Sequence, residues 1–321
     1  MPRVDDVVSI VPEGRLVFGL HLPIAAQSVA FAQPWEADCG PEDMRRIVEA
    51  ADRMGYFYLA VSDHIAIPRD LATRMRTVWY DTVATLAWCA AVTNRIRLMS
   101  YVAILPYRHP LACAKAYSTI DALSGGRLIL GVGTGHVRGE FEALGVEFER
   151  RGKLLDESID AVAEAFREEY PKHEGATFRY GDVGQSPRPV QKPRPPIWVG
   201  GSSRAAIRRA AERGDGWLPQ GPPEMGMKGA IELLRSHRAE IRGDARIEIG
   251  GSSPWMYVGA PGWDLPAGSI SGRPEELAEV LRVARARGVS HMGARLCARS
   301  SDEQIEQLDA FMRDVAPLVN D

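Results

Sequence analysis

DALSGGRLILGVGTGH, residues 121–136, is the most informative segment of this chain. Ser124-Gly125-Gly126 indicates a tight turn, because glycine adopts positive φ at little cost. Residues 127–132 are short, mostly apolar and bounded on both sides, which is typical of a parallel strand covered on both faces. Glycines and one histidine follow at 133–136, where the strand ends. Taken alone, this end could equally be a plain strand-to-helix turn, since a single Gly-x-Gly is weak evidence for a nucleotide site.

Two other segments end in the same way. LAVSDH, residues 59–64, is an apolar strand that ends in a carboxylate and an imidazole. IWVGGSS, residues 197–203, ends in glycines and hydroxyls just before a helix. Ligands of parallel α/β proteins bind beyond the carboxyl ends of the strands. Three such ends therefore predict one active face of a (β/α) barrel.

Composition limits the possible partners. The chain has 321 residues, 45% hydrophobic and 25% charged, as ordinary globular proteins have. A net charge of −3 argues against nucleic acid as a partner. Residues 1–15 are too charged for a signal peptide, and no apolar run approaches the roughly 20 residues of a membrane span. Four scattered cysteines suit a reducing compartment, so we expect a cytoplasmic protein without a membrane partner.

Strand and helix patterns alternate eight times along the chain. This predicts an α/β fold, a (β/α)8 TIM-like barrel in a single domain over 1–321, rather than two domains. An open doubly wound sheet is the structural alternative, but its first strand should end in G-x-G-x-x-G and not in LHLP (20–23). The predicted strands are 16–20, 57–61, 96–103, 127–132, 197–199, 216–218, either 247–250 or 255–258, and 289–296. The predicted helices are 41–54, 81–92, 111–123, 152–167, 204–213, 223–241, 274–287 and 302–315.

Residues 170–196, rich in proline and glycine, predict an irregular insertion after the fourth helix. Irregular segments of this length in a compact domain are usually functional and often serve as lids. We therefore expect the insertion to shape the pocket together with the loops at 24–38 and 65–79.

Seven segments together resemble the luciferase-like monooxygenase superfamily, and within it the coenzyme F420-dependent oxidoreductases of actinobacteria. The block at 121–157 is specific for the superfamily, whereas SDH (62–64) and PYRHP (106–110) favour the F420 branch over the FMN branch. The resemblance implies a TIM-like barrel with the cofactor across its carboxyl face. It also implies a non-proline cis peptide at Tyr101–Val102, or at the bond before it, that supports the cofactor ring. The matching segments are 19–23, 50–64, 93–110, 121–157, 186–203, 213–219 and 270–277.

The same resemblance suggests two catalytic histidines. It implies that Asp63 holds the edge of the cofactor ring and that His64 faces the substrate. Histidine titrates near neutrality and can exchange a proton with an alcohol or enol. The family's sugar-phosphate dehydrogenases carry glutamate at the position of His136, so their activity does not transfer directly. His136 could act as an acid, bind substrate or simply pack.

Further residues are expected to bind the cofactor or the substrate. A glycine pair and hydroxyls before a helix form an anion site, suited to the cofactor phosphate. His21 and Trp217 are expected to contact the substrate. No metal-ligand spacing and no G-x-S-x-G elbow is present in the sequence. The expected cofactor-binding residues, besides Asp63, are Ser100, Tyr101, Val102, Gly133, Thr134, Gly135, Gly200, Gly201, Ser202 and Ser203.

The resulting hypothesis is an F420-dependent oxidoreductase that transfers hydride between C5 of the deazaflavin and a small organic substrate. One alternative is an FMN-dependent monooxygenase that uses reduced flavin and O₂. Others are a non-catalytic F420- or flavin-binding protein and a sugar-binding barrel without cofactor. The resemblance also suggests a homodimer.

Overall fold

A computed structural model describes residues 7–321. Residues 1–6 belong to the segment 1–15 that we expect not to be a signal peptide, and they lie outside the described residues. Eight parallel strands pair in chain order, and the eighth pairs with the first. The predicted TIM-like (β/α)8 barrel is therefore confirmed, and the open sheet is excluded. The strands are β1 (Val17–His21), β2 (Tyr58–Val61), β3 (Arg97–Ser100), β4 (Leu128–Gly133), β5 (Ile197–Gly200), β6 (Gly216–Leu218), β7 (Glu248–Val258) and β8 (His291–Leu296).

Eight main helices alternate with these strands. The first of these helices begins with Pro41 at its first position, and it is followed by the C-cap residue Gly55, whose φ of 84° is left-handed. The helices are α1 (Pro41–Met54), α2 (Thr82–Val92), α3 (Pro110–Leu123), α4 (Arg151–Arg167), α5 (Arg204–Arg213), α6 (Gly226–Arg242), α7 (Pro274–Ala286) and α8 (Ser301–Ala310). Shorter helical segments are Pro34–Asp38, Arg69–Leu71, Ala72–Met75, Leu105–Tyr107, Arg138–Ala143, Phe148–Arg150, Phe311–Val315 and Ala316–Asn320.

Two strands differ from their predicted form. The predicted strand 96–103 is interrupted after Ser100 by a cis peptide between Tyr101 and Val102, and it resumes as Ala103–Ile104 beside β4. Both candidates for the seventh strand belong to one long strand, because β7 continues through a register shift opposite β8 between Ser252 and Trp255. A short strand missed by the sequence pattern, Ile270–Gly272, pairs with the end of β7.

The barrel interior is filled by large side chains. Tyr58 and Trp198 pack there with Val11, which precedes the first strand. His291 stacks on Trp198 with ring centroids 4.1 Å apart, and burial lowers its pKa to about 3. His291 is therefore a neutral core residue. The remaining core lies between the barrel and the helices around it.

Two buried side chains of the 121–136 segment hold the surrounding structure together. The Asp121 carboxylate accepts hydrogen bonds from the backbone N–H groups of Val190 (2.8 Å) and Gln191 (3.1 Å). The Arg127 guanidinium donates to the Ile96 carbonyl (2.9 Å) and to groups in the α2–β3 connection. This segment thus joins α3, β4 and the 170–196 insertion.

The insertion lies against the outer helices and not over the barrel. Its hairpin (His173–Glu174 with Arg179–Tyr180) is tied to α4 because Glu157 accepts hydrogen bonds from the N–H groups of Thr177 and Phe178. Gln185 donates to the Leu111 carbonyl on α3 at 2.7 Å. No residue of 170–196 lines the cavity described below. The expectation that the insertion shapes the pocket is therefore wrong.

Within residues 7–321, no helix has the length and apolar character that crossing a membrane requires. The same residues contain no group of three or more His, Cys, Asp or Glu side chains placed to hold a metal ion. All four cysteines are free thiols, and burial raises the pKa of Cys89 and of Cys113 to about 12.

Candidate active site

A cavity of about 510 Å³ opens at the carboxyl ends of the barrel strands. Its volume lies in the range of small-molecule and cofactor pockets. The loop at 24–38 contributes several lining residues, and the loop at 65–79 contributes Trp79. The predicted site residues that line it are His21, Asp63, His64, Tyr101, Val102, Gly133, Thr134, Gly135, His136, Gly200 and Gly201.

His64, just beyond β2, is held by a buried carboxylate. Its Nδ1 lies 3.0 Å from Oε2 of Glu140, whose side chain is fully buried. No described residue provides a hydrogen-bond partner for Nε2, the other ring nitrogen, and His64 lines the cavity. A carboxylate that accepts from Nδ1–H favours the tautomer of the neutral ring in which Nε2 carries the lone pair. The pair thus has the arrangement of a general base and its orienting acid.

Glu140 is itself held by several donors. Its Oε1 accepts from the backbone N–H groups of Ile65 and Ala66, and its Oε2 also accepts from the Tyr107 hydroxyl at 2.8 Å. Burial alone would raise the pKa of Glu140, but the hydrogen bonds from His64, Ile65 and Ala66 bring it below its ordinary value. The carboxylate is therefore ionised near neutral pH. Sequence reasoning missed Glu140, because a glutamate on a short helix is usually solvated.

Two rings flank His64. Trp79 lies edge-on with its centroid 4.4 Å from that of His64, and His136 lies edge-on at 5.7 Å. His136 is exposed at the cavity mouth, and partial burial together with the proximity of His64 lowers its pKa. The structure therefore brings both predicted catalytic histidines together. His64 is the more buried of the two.

Asp63 has polar partners within the protein. Its carboxylate makes a bidentate ion pair with Arg108 (2.6 and 2.8 Å) and also accepts from the Ile104 N–H at 2.8 Å. These contacts fix the segment that follows the cis peptide. Arg108 belongs to the PYRHP motif, but sequence reasoning did not single it out.

The glycines at the ends of β4 and β5 surround Val102. A Cβ on Gly133 would lie 2.4 Å from Cγ2 of Val102, and one on Gly200 would lie 2.8 Å from Cγ1. A Cβ on Gly135 would meet Phe141 at 2.8 Å. The lack of a side chain on Gly133 and Gly200 therefore leaves room for Val102, and the lack of one on Gly135 leaves room for Phe141. Val102 in turn lines the cavity.

Four predicted residues do not line the cavity. Ser100 is buried and donates to the Gly131 carbonyl, Ser202 donates to the Gly221 carbonyl, and the Ser203 hydroxyl caps α5. Trp217 is fully buried in the core, and its indole N–H donates to the Gly201 carbonyl at 2.8 Å. Trp217 thus positions Gly201 and does not reach the space where a substrate would lie.

The part of the wall formed by β1, β7 and β8 holds residues that the sequence analysis missed. Arg295 and Trp255 line the cavity here together with Phe31. His21 packs edge-on against Tyr101, with ring centroids 4.4 Å apart. Burial and the neighbouring Arg295 lower the pKa of His21 to about 4, so it is neutral at pH 7.

The residues present fit a planar aromatic cofactor. The cavity combines aromatic and apolar side chains with polar groups of both charges, as cofactor sites do. Val102 and Tyr101 carry the cis peptide at its floor. Gly201 has a φ of 121°, and Ser203 opens α5, so backbone N–H groups at this helix start are suited to an anion.

Comparison with known proteins identifies relatives over most of the chain. The sequence model described as luciferase-like monooxygenase matches residues 23–257. An uncharacterised protein of Mycobacterium tuberculosis is 34% identical over 215 residues, which cover 63% of this chain and 74% of the relative. The FMNH₂-dependent dimethylsulfone monooxygenase of Pseudomonas putida is 28% identical over 219 residues, which cover 67% of this chain and 57% of that enzyme.

Among solved structures, an F420-dependent secondary alcohol dehydrogenase in complex with an F420–acetone adduct has a TM-score of 0.75. The alignment covers 96% of this chain and all of that one, at 16% identity. Similarity at this level shows a common fold.

Proposed function

Since the chain belongs to the luciferase-like monooxygenase family, we propose that it is an oxidoreductase that uses coenzyme F420 and transfers hydride between C5 of the deazaflavin and a small organic substrate. The observation that carries this proposal is His64, which lines the cavity while its Nδ1 lies 3.0 Å from the buried Glu140 carboxylate. Hydride transfer to or from a carbonyl carbon needs a group that moves a proton at the substrate oxygen. An unprotonated Nε2 held toward the cavity suits that role.

Three groups of residues would hold the cofactor. Val102 and Tyr101 would support the ring, the segment 133–135 would border its polar edge, and the segment 200–203 would receive its phosphate. When bound, F420 supplies a carbon at position 5 that carries hydride, whereas a flavin has nitrogen there and can react with O₂.

The chain's own residues supply the proton and the environment. His64 takes a proton from the substrate hydroxyl in the oxidative direction and returns it in the reductive direction. Glu140 keeps Nδ1 protonated and stabilises the imidazolium that forms. Trp79 packs against one side of the His64 ring. His136 is our second candidate for proton exchange, at the cavity mouth.

An FMN-dependent monooxygenase is the second candidate, favoured by the 28% identity to the dimethylsulfone monooxygenase. A non-catalytic F420- or flavin-binding protein would not need a histidine oriented by a buried carboxylate. We therefore rank that alternative below both enzyme candidates. The homodimer and the cytoplasmic location remain predictions from the sequence.

A binding titration tests the proposal. Oxidised F420 and FMN are titrated separately, with binding followed by calorimetry and by tryptophan fluorescence. Trp79 and Trp255 line the cavity and should be quenched, whereas Trp198 and Trp217 are fully buried in the core. Trp79→Phe should lose part of the quenching while binding is retained, and Trp263→Phe, outside the cavity lining, is the matched control.

Three outcomes are informative. Binding of F420 without binding of FMN supports the proposal. Binding of FMN alone moves the protein to the O₂-using candidate. Binding of neither overturns the assigned function.

A further inference from the structure

Arg295, on β8, has no acidic partner. Its guanidinium lies 5.7 Å from the ring centroid of Phe31 and 6.0 Å from that of Trp255, at the distance of cation–π contacts. Within residues 7–321, no carboxylate lies within 4.0 Å of it and no hydrogen bond engages its guanidinium N–H groups. An arginine that is only partly exposed is normally paired, because isolated charge is costly to desolvate. Its free donors face the cavity that it lines.

The other ionisable groups of the cavity do not compensate this charge. Asp63 is taken by its bidentate pair with Arg108. The Glu36 carboxylate accepts from the N–H groups of Ile24 (2.7 Å) and Gln33 (2.8 Å). The positive charge of Arg295 therefore has no compensating carboxylate in the cavity that His64 also lines.

We propose that Arg295 binds the carboxylate of the substrate, so that the enzyme acts on an organic acid with an aromatic or alkyl body. The planar guanidinium matches a carboxylate through two parallel hydrogen bonds, and charge-assisted pairs of this kind are strong. The surfaces beside it, Phe31 and Trp255, are aromatic and suit an apolar body. A carboxylate anchored on β8 leaves the rest of the substrate in the same cavity that His64 lines from the end of β2. This inference rests on the proposed function, since it names the substrate class of the same site.

The test uses a probe pair that differs in charge and hardly in shape. Benzoate and benzamide are titrated by calorimetry into the full chain without cofactor, and tryptophan fluorescence is followed in parallel. Charge-assisted hydrogen bonds contribute about 1.5–3 kcal/mol, which corresponds to about 10- to 150-fold in affinity. We expect wild type to bind benzoate at least about tenfold tighter than benzamide.

Variants locate the effect. Arg295→Gln should abolish the preference for benzoate, and Arg295→Lys should retain part of it. Arg299→Gln is the matched control, because Arg299 is an exposed arginine over Trp263 that pairs with Glu303 outside the cavity. Circular dichroism and thermal unfolding establish that each variant is folded. The wild-type comparison of the two probes stands even if a variant does not fold.

Equal affinity of wild type for the two probes would overturn the inference. A loss of F420 or FMN affinity in Arg295→Gln as large as the loss for benzoate would also overturn it, because the guanidinium would then belong to the cofactor site. Failure of the proposed function has a different signature, since neither cofactor would bind while the preference for benzoate persists.

Discussion

Replacing Glu140 by glutamine should reverse the tautomer of His64. The Oε1 atom of Glu140 accepts from two backbone N–H groups, and Oε2 accepts from His64 and Tyr107. A glutamine that keeps its oxygen on the backbone donors must turn its NH₂ group toward Nδ1 of His64. Nδ1 then has to accept, so the proton moves to Nε2, and the nitrogen that faces the cavity can no longer act as a base. We expect turnover to fall by about 10²–10⁴-fold.

The stability cost of Glu140→Gln follows from the same contacts. Hydrogen bonds to charged groups contribute about 1.5–3 kcal/mol and neutral ones about 0.5–1.5 kcal/mol. The two backbone bonds would each lose about 1 kcal/mol, so unfolding free energy should fall by about 2 kcal/mol. The folded-state pKa of Glu140 lies below its ordinary value, so its ionised form stabilises the fold. That contribution is complete above the unfolded pKa of about 4.3 and is lost as the pH falls through the lower folded pKa.

Nitrogen-15 NMR of histidine-labelled protein reads the tautomer directly, without a substrate. Wild-type His64 should show a protonated Nδ1, and Glu140→Gln should show a protonated Nε2. Urea unfolding at several pH values should show the stability difference between the two proteins shrinking in acid. A protonated Nε2 in the wild type, or an unchanged tautomer in the variant, would refute the reasoning.

Three further predictions concern residues around the cavity. His64→Ala should reduce turnover by about 10²–10⁴-fold in steady-state assays while cofactor affinity is retained, whereas His237→Ala, on the surface of α6, should leave both unchanged. Gly133→Ala should weaken cofactor binding in the titration, because its Cβ would lie 2.4 Å from the Val102 side chain, and adding Val102→Ala should restore part of the affinity. Asp63→Asn leaves its arginine partner partly buried and unpaired, and chemical denaturation should show a loss of about 3–5 kcal/mol; a loss below about 1 kcal/mol would contradict that role.

The parts of the site that could be predicted from the sequence were those determined by local pattern. Apolar strands followed by polar or glycine ends located Asp63 and His64, and parallel strands bring such ends to one face of the barrel. The family resemblance predicted a cis peptide at Tyr101–Val102 or at the bond before it, and the structure has it at Tyr101–Val102. These inferences needed only the order of residues along one strand.

The residues that were missed depend on tertiary contacts. Glu140 lies on a short helix, and only the folded chain places its carboxylate against His64 from 76 residues away in sequence. Arg295 reaches the cavity because of the register of β8, which the strand pattern does not determine. The proline and glycine content of 170–196 correctly predicted an irregular segment. Its position against the outer helices depends on tertiary contacts, such as those with Glu157 on α4, which composition does not determine.

Transfer of deuterium from C5 of deuterated, reduced F420 to a carbonyl compound, under anaerobic conditions, tests the central claim most directly. A panel of keto acids and simple ketones would be followed by loss of the reduced cofactor and by mass spectrometry of the alcohol product. The account predicts deuterium on the alcohol carbon with wild type and a turnover at least about 10²-fold lower with His64→Ala. Oxygenated product from reduced FMN and O₂, with no oxidation of reduced F420 by any carbonyl compound, would contradict it.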